Sequence, residues 1–285
     1  MTNQEKKANY IGSVEVSFEN AANAKSLAKC VTKKALPDPT DYVLVEVNAT
    51  AGNISFVATD GRKLAAISDD RASILAKPQD GDNVFQALFT VPDWKRICDY
   101  GKKKKSAVKF DIYKKDDYAC HDTMVTRLGE EHIESVNIGK PYPMWRSVLR
   151  TPDSHFAIVP EDVADARTFI KGIKKVRKDQ VLKVNVSFYR GSILGYFDYF
   201  DDEADVHETM TFRLAEPSQK TIGTCLNFRT LQNVKFTGFD LHHGTHPALI
   251  DTEEFDYMMM MPYFCDNGYV FDEEQREVVA EVVNG

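Results

Sequence analysis

The sequence predicts an α+β protein built from two similar domains, each with two helices packed on antiparallel sheet. Three observations lead there. The chain has 285 residues, 43% hydrophobic and 28% charged, which is material for two cores of ordinary size. Its apolar runs are short and mostly alternate in period two, as half-buried strands do. The order strand, helix, strands, helix, strands occurs twice, without close repetition of the residues themselves.

In the first half, Val14, Val16 and Phe18 alternate with polar residues and read as a strand. Asn20 is placed to cap a helix over about 21–35, which Pro37 and Pro39 end. YVLVEV (42–47), ISFVAT (54–59) and RKLAAI (62–67) read as a meander, with ATAGN and Asp60-Gly61 as its turns. Val91-Pro92-Asp93 opens a second helix through WKRICDY, with proline tolerated at its start, and GKKKKS (101–106) is expected to break it. Strands follow at about 107–113, 118–127 and 132–138.

After a linker at about 140–153, FAIV (156–159) reads as a strand and Pro160 starts the helix EDVADARTFIKGIKKV. Strands are expected at about 181–188, 192–200 and 206–214, then a short helix near 228–233, then strands at about 234–241, 246–251 and 255–261. The expected domains are 1–145 and 146–264, with 265–285 as an acidic and apolar C-terminal extension.

Composition narrows the function. The net charge is -7, so a nucleic-acid footprint depends on where the cations lie. Cys30, Cys98, Cys120, Cys225 and Cys265 include no CxxC pair, which predicts free thiols in a reducing cytoplasm. The polar start MTNQEKKANY lacks the apolar centre of a signal peptide, and no run nears the ~20 apolar residues of a membrane span. The expectation is a soluble, cytoplasmic protein with no membrane partner.

The positive charge is concentrated on predicted helices. Lys25, Lys29 and Lys33 fall at i, i+4 and i+8, beside Lys34. Arg167, Lys171, Lys174, Lys175 and Lys178 mark the helix opening the second half; Lys95 and Arg96 mark the second helix of the first half, and Lys102, Lys103, Lys104 and Lys105 follow it. Solvated helix faces carry lysine routinely. Three basic helices in an acidic chain favour a shared surface for phosphates, independent of base sequence and weakened by salt. No aromatics interleave with these cations, which argues against base stacking.

YVLVEVNATAGNISFVATDGRKLAAI (42–67), with VATDGRKLA at Val57–Ala65, resembles the middle domain of the bacterial DNA polymerase III β subunit family, the sliding clamps. GKPYPMWRSVLR (139–150) is similar to the segment closing that domain. HPALIDTEEFDYMMMMPYF (246–264) is similar to the family's C-terminal strands. The resemblance covers about 13–264 and reaches only the family's middle and last domains. It implies a ring with helices lining the hole, double-stranded DNA as partner, and a groove that docks short peptides of DNA polymerases or repair proteins. Carried over, the groove residues are Thr59, Gly61, Arg62, Lys63 and Leu64, then Pro143, Ser147 and Val148, then Met261 and Pro262. Arg62 and Lys63 stand where the family has histidine and arginine, and Ser147 where it has arginine. With two domains per chain, a closed ring of six domains implies a homotrimer.

Nothing in the residues predicts catalysis, a cofactor or a metal. There is no GxGxxG, P-loop or GxSxG. HHGTH (242–246) reads as a loop or strand end, since adjacent strand residues face opposite ways. DYFDDEAD (198–205) lacks calcium-loop spacing. Two readings compete: a clamp-like processivity factor on DNA, and a clamp-derived interaction module that does not encircle DNA.

Overall fold

The computed structural model describes residues 9–32, 37–75, 83–114, 119–149, 154–173, 183–201, 206–241 and 247–261. The chain divides into two compact units. Unit 1 comprises Met1–Leu149 and Glu254–Met258; unit 2 comprises Arg150–Glu253 and the chain from Met259. Each is described by itself.

Unit 1 begins with β1 (Tyr10–Val16) and α1 (Phe18–Asn23), followed by a 3-10 turn at Ala24–Lys29. Next come β2 (Tyr42–Asn48), β3 (Asn53–Thr59), β4 (Lys63–Asp69), β5 (Ser73–Ile74) and β6 (Val84–Thr90). Then follow α2 (Val91–Lys104), β7 (Val108–Tyr113), β8 (Thr123–Leu128) and β9 (Glu131–Glu134). Antiparallel ladders join β4-β3-β2-β6 and β5-β1-β7-β8-β9.

Period two decides what each face of the first sheet meets. Val45 pairs with Phe56 and Val43 with Phe89, and both rings lie against Trp94 of α2, with centroids at 5.1 and 6.4 Å. Trp94 is 1% exposed, and its indole donates to the Ala24 carbonyl at 2.9 Å. Burial of these rings, each removing roughly 150–250 Å² from water, is the main force fixing α2 on the sheet.

The expected helix over 21–35 is not what forms. The α-helix is Phe18–Asn23, capped by Ser17, whose side chain accepts from the Asn20 amide. From Ala24 the chain tightens to 3-10, with Ala24, Leu27 and Cys30 buried at intervals of three. A three-residue period turns Lys25 and Lys29 to different sides, so the i, i+4 stripe is lost. Lys33 and Lys34 lie outside the described residues.

α2 is longer than expected. It runs through Gly101 to Lys104 and ends on Lys105 in the left-handed region, φ 49. Lysine is a good helix former, and cations are favoured beside the last carbonyls of a helix. Lys102, Lys103 and Lys104 therefore prolong the helix instead of breaking it.

Unit 2 repeats the plan. It contains β10 (Ser154–Ala157), α3 (Pro160–Gly172), β11 (Lys183–Phe188), β12 (Leu194–Asp201) and β13 (Val206–Arg213). β14 (Ile222–Asn227), α4 (Phe228–Gln232), β15 (Phe236–Leu241), β16 (Ala248–Thr252) and β17 (Tyr257–Met260) complete it, with Met259 and Met260 of β17 in this unit. Antiparallel ladders join β13-β12-β11-β14 and β10-β15-β16-β17. Strand for strand, this is the pairing of β4-β3-β2-β6 and β1-β7-β8-β9.

The core of unit 2 is phenylalanine. Phe197 packs with Phe212, Phe236 and Phe239 at centroid distances of 4.7, 5.9 and 5.9 Å, and Phe188 stacks on Phe156 at 3.9 Å. Gly195 makes room for it, because a Cβ there would meet the rings of Phe212 and Phe188 at 2.5 to 2.8 Å. α3 lays Phe169 against Phe197 at 6.2 Å. Gln232 of α4 donates to the Ile170 and Ile173 carbonyls, satisfying the end of α3. Among the described residues, no helix is long and apolar enough to cross a membrane.

Candidate functional site

The first motif forms a closed turn between β3 and β4. Asp60 Oδ1 accepts from the Arg62 and Lys63 amides at 2.9 and 2.8 Å. Thr59 Oγ1 donates to the Lys63 carbonyl at 2.7 Å and accepts from the Gly61 amide at 3.1 Å. Gly61 has φ +82, a conformation that favours glycine. The turn thereby presents Gly61 and Arg62 to solvent, while Thr59 and Leu64 are buried. Lys63 is half-buried; its ammonium donates to the Lys29 carbonyl at 3.0 Å and lies 3.7 Å from Asp60.

The second motif is held against the same sheet. Tyr142 is buried, and its hydroxyl reaches the Val57 carbonyl at 3.5 Å and the Thr59 amide, which ties its segment to the end of β3. Burial and the nearby Cys30 thiol push the Tyr142 phenol well above its ordinary range. The Cys30 thiol, beside Lys63, is pushed up by burial to about 11.

The next two residues form the anchor. Glu46 is 5% exposed in the middle of β2, opposite Ser55 of β3 and Gln86 of β6. It accepts from Gln86 Nε2 at 2.7 Å, Trp145 Nε1 at 3.3 Å and Arg146 Nε at 2.9 Å. Arg146 also donates to Ser55 Oγ at 3.3 Å and lies over the Trp145 ring. A buried carboxylate held by three donors is a satisfied network, not a reactive one. It pins the 3-10 turn Trp145–Val148, leaving Pro143, Met144, Ser147 and Val148 exposed.

Thr59, Gly61, Arg62 and Lys63 thus share one turn, and the segment carrying Pro143, Ser147 and Val148 is tied to the same sheet through Tyr142, Trp145 and Arg146. Glu46, Tyr142, Trp145 and Arg146 were not among the residues expected from the sequence, although a charge inside YVLVEV signals a buried polar partner. In unit 2, Met261 is 43% exposed, and Pro262 lies outside the described residues. Met258, Met259 and Met260 are all buried.

The expected DNA-facing cations are unequal. Lys25 is paired with Asp99 at 2.6 Å. Arg96 is paired with Asp93 and with Glu131, whose contacts raise its pKa further. Arg167 is turned inward, donating to the Phe236 carbonyl and to Glu253 at 2.9 and 2.8 Å, with its side chain 18% exposed. Lys29, Lys95, Lys102 and Lys171 are exposed, without an ion pair among the described residues. Lys174, Lys175 and Lys178 lie outside those residues, as do HHGTH and the segment 265–285.

No family model matches the sequence, and no curated protein does. Solved structures do. The DNA polymerase III subunit β of Pseudomonas aeruginosa superposes with a TM-score of 0.69 at 15% identity, over 89% of this chain and 66% of that one. The fold is that of the bacterial sliding clamp. The β sliding clamp of Caulobacter crescentus aligns with a TM-score of 0.69 at 12% identity, over 93% of this chain and 67% of that one. The Helicobacter pylori β clamp, solved bound to a DNA ligase peptide, aligns with a TM-score of 0.65 at 14% identity, over 90% and 66%. This chain therefore spans about two thirds of the length of the clamps it matches. Within this sliding-clamp fold, the described groups with metal-ligand chemistry in one place are His155, Asp240 and Asp251 in unit 2.

Proposed function

We propose that this protein is a clamp-derived interaction module without chemistry of its own, which docks short partner peptides on the surface of unit 1 that carries Gly61, Arg62, Lys63, Pro143, Ser147 and Val148. The observation that carries this reading is the anchored segment 142–148, which Tyr142 and the Glu46 network fasten beside the Asp60-Gly61 turn while its apolar side chains stay exposed. Apolar groups rimmed by a few polar ones suit an extended peptide. A clamp of this fold bound to a DNA ligase peptide supports that partner class. The charge pairing of Lys25, Arg96 and Arg167, in a chain of net charge -7, supports a module over a ring that grips DNA. The proposed domains remain 1–145 and 146–264, in a cytoplasmic setting.

Fluorescence anisotropy with labelled clamp-binding peptides of DNA polymerases, repair proteins and DNA ligase tests this. Binding that Val148→Asp and Arg62→Glu each weaken about tenfold, or 1.4 kcal/mol, is expected. Absence of binding, or binding that both variants leave untouched, overturns the reading.

A second reading, a homotrimeric processivity factor on double-stranded DNA, is favoured by one feature: the exposed Lys95 and Lys102 to Lys105 along and beyond α2. A trimeric mass in solution together with retention on circular but not linear DNA would establish it over the module. A monomer at all concentrations would eliminate it.

A further inference from the structure

Unit 2 carries a side-chain cluster on the outer face of β10-β15-β16 that the peptide surface does not use. His155 of β10 stands opposite Asp240 of β15, and Gly238, two residues before Asp240, stands opposite Asp251 of β16. Phe156, Phe239 and Ile250 alternate with these positions and are buried, so the polar row occupies the other face. His155 Nδ1 lies 2.5 Å from Asp240 Oδ1 and 3.5 Å from Asp251 Oδ2, and one ligand atom from each residue lies within 4.8 Å of the others.

Gly238 is what lets the third group in. A Cβ there would stand 2.6 Å from Asp251 Oδ2, so the carboxylate leans through the space that a side chain would fill. Unit 1 shows the alternative at the same place. By strand order and the buried Phe110 and Phe239, the counterpart of Gly238 is Lys109 and that of Asp240 is Asp111. There Lys109 Nζ reaches Asp111 at 3.5 Å, and Arg127 follows Thr126 on the neighbouring strand. Unit 1 thus sets Lys109 between two carboxylates, Asp111 on its own strand and Glu15 opposite it on β1. Unit 2 has no cation at the Lys109 position and gathers two carboxylates, Asp240 and Asp251, beside an imidazole.

We propose that His155, Asp240 and Asp251 bind one divalent transition-metal ion of the zinc class. The charges favour it. A protonated imidazole cancels only one of two adjacent carboxylates, whereas a divalent ion with neutral imidazole cancels both. One imidazole and two carboxylates leave a fourth tetrahedral position for water. With ligand bonds of about 2.0–2.2 Å, His155 and Asp240 need part by only about 1 Å. His155 is exposed enough for that, at 60% of its side chain.

The test is calorimetric titration of the full, untagged chain with Zn²⁺ and with Co²⁺, after stripping by chelator. Expected are one ion per chain at micromolar affinity, and visible Co²⁺ bands without thiolate charge transfer. His155→Gln and Asp251→Asn should each weaken binding about tenfold or more, and Gly238→Ala should do so without removing a ligand. His155→Gln alters an exposed residue, so it reports even if the other variants fold poorly. Affinity unchanged in His155→Gln, thiolate bands with Co²⁺, or no binding by the wild-type chain would each overturn the proposal.

Discussion

In unit 1 the full-length helix is α2, 14 residues placed after β6, and the helix before the meander shrinks to 6 residues and a 3-10 turn. In unit 2 the positions are reversed: α3, 13 residues, precedes the meander, and α4 has 5. The strand pairings are nonetheless the same in both. The pairing is therefore set by the strands, while helix length is set locally by what each helix has to cover. In unit 1, Trp94 spans the sheet and takes the Ala24 carbonyl, so a short turn suffices opposite α2. In unit 2 the rings come from the strands, and α3 adds Phe169 to a cluster that is already filled.

The largest expected effect separates these two cores. Phe197→Ala should destabilise unit 2 by about 3–5 kcal/mol, since it leaves a cavity among Phe212, Phe236 and Phe239. Both tryptophans, Trp94 and Trp145, belong to unit 1. Urea unfolding followed by circular dichroism should therefore shift to lower denaturant, with tryptophan fluorescence lagging behind. Coincident shifts of equal size would show that the cores do not act separately.

The next effect belongs to unit 1 alone. Glu46→Ala leaves the Trp145 indole without its acceptor and the Arg146 guanidinium with Ser55 alone; Arg146 is half exposed, which moderates the loss. About 1.5–3 kcal/mol should be lost, and peptide affinity should fall with it, because the 142–148 segment is freed. Thermal melting and anisotropy on the same variant check both. Full stability with weakened peptide binding would mean that Glu46 touches the ligand. At Gly61, φ +82 predicts a smaller loss of about 1–2 kcal/mol for Gly61→Ala.

Much of this was legible in the residues. The strands were, because Val43 to Val47 and Ile54 to Ala58 are short, β-prone, nearly continuous apolar runs bounded by turn residues, as strands covered on both faces are. The Asp60-Gly61 turn was, because its chemistry is local. The helices were less so. The 3-10 turn at Ala24 is set by a tryptophan 70 positions away, and the loss of Arg167 from the cationic surface depends on Phe236 and Glu253. Spacing along a chain cannot report a partner on another strand. The same holds for Gly238, a plain position inside the expected strand 234–241 until Asp251 is seen beside it.

Charge divides the units again, at smaller amplitude. Replacing Lys102, Lys103 and Lys104 by Glu should reduce any DNA association and flatten its dependence on salt, by about 0.9 in the logarithmic slope for each phosphate no longer neutralised. Lys25→Glu should do much less, because Asp99 already neutralises Lys25. Electrophoretic shifts over a salt series distinguish the two, and equal effects would return the first helical segment to the phosphate surface.

The smallest effect is a pH dependence confined to unit 2. Asp162, in the first turn of α3, takes a two-pronged contact from Arg213 of β13, with Nη2 to Oδ1 at 2.7 Å and Nε to Oδ2 at 3.1 Å. It also accepts from the Arg213 amide at 2.7 Å. The side-chain bond to Arg213 and then that amide hold its carboxyl below the ordinary 3.8. A carboxyl whose pKa is lower folded than unfolded binds its proton more weakly in the native state. Its contribution is thus fully present above 3.8 and is lost as pH falls through the lower, folded value. Wild type and Asp162→Asn should differ slightly in melting temperature at neutral pH and converge in acid. A gap that persists at the lowest pH would assign the effect to the shape of the α3 start, not to the charge pair with Arg213.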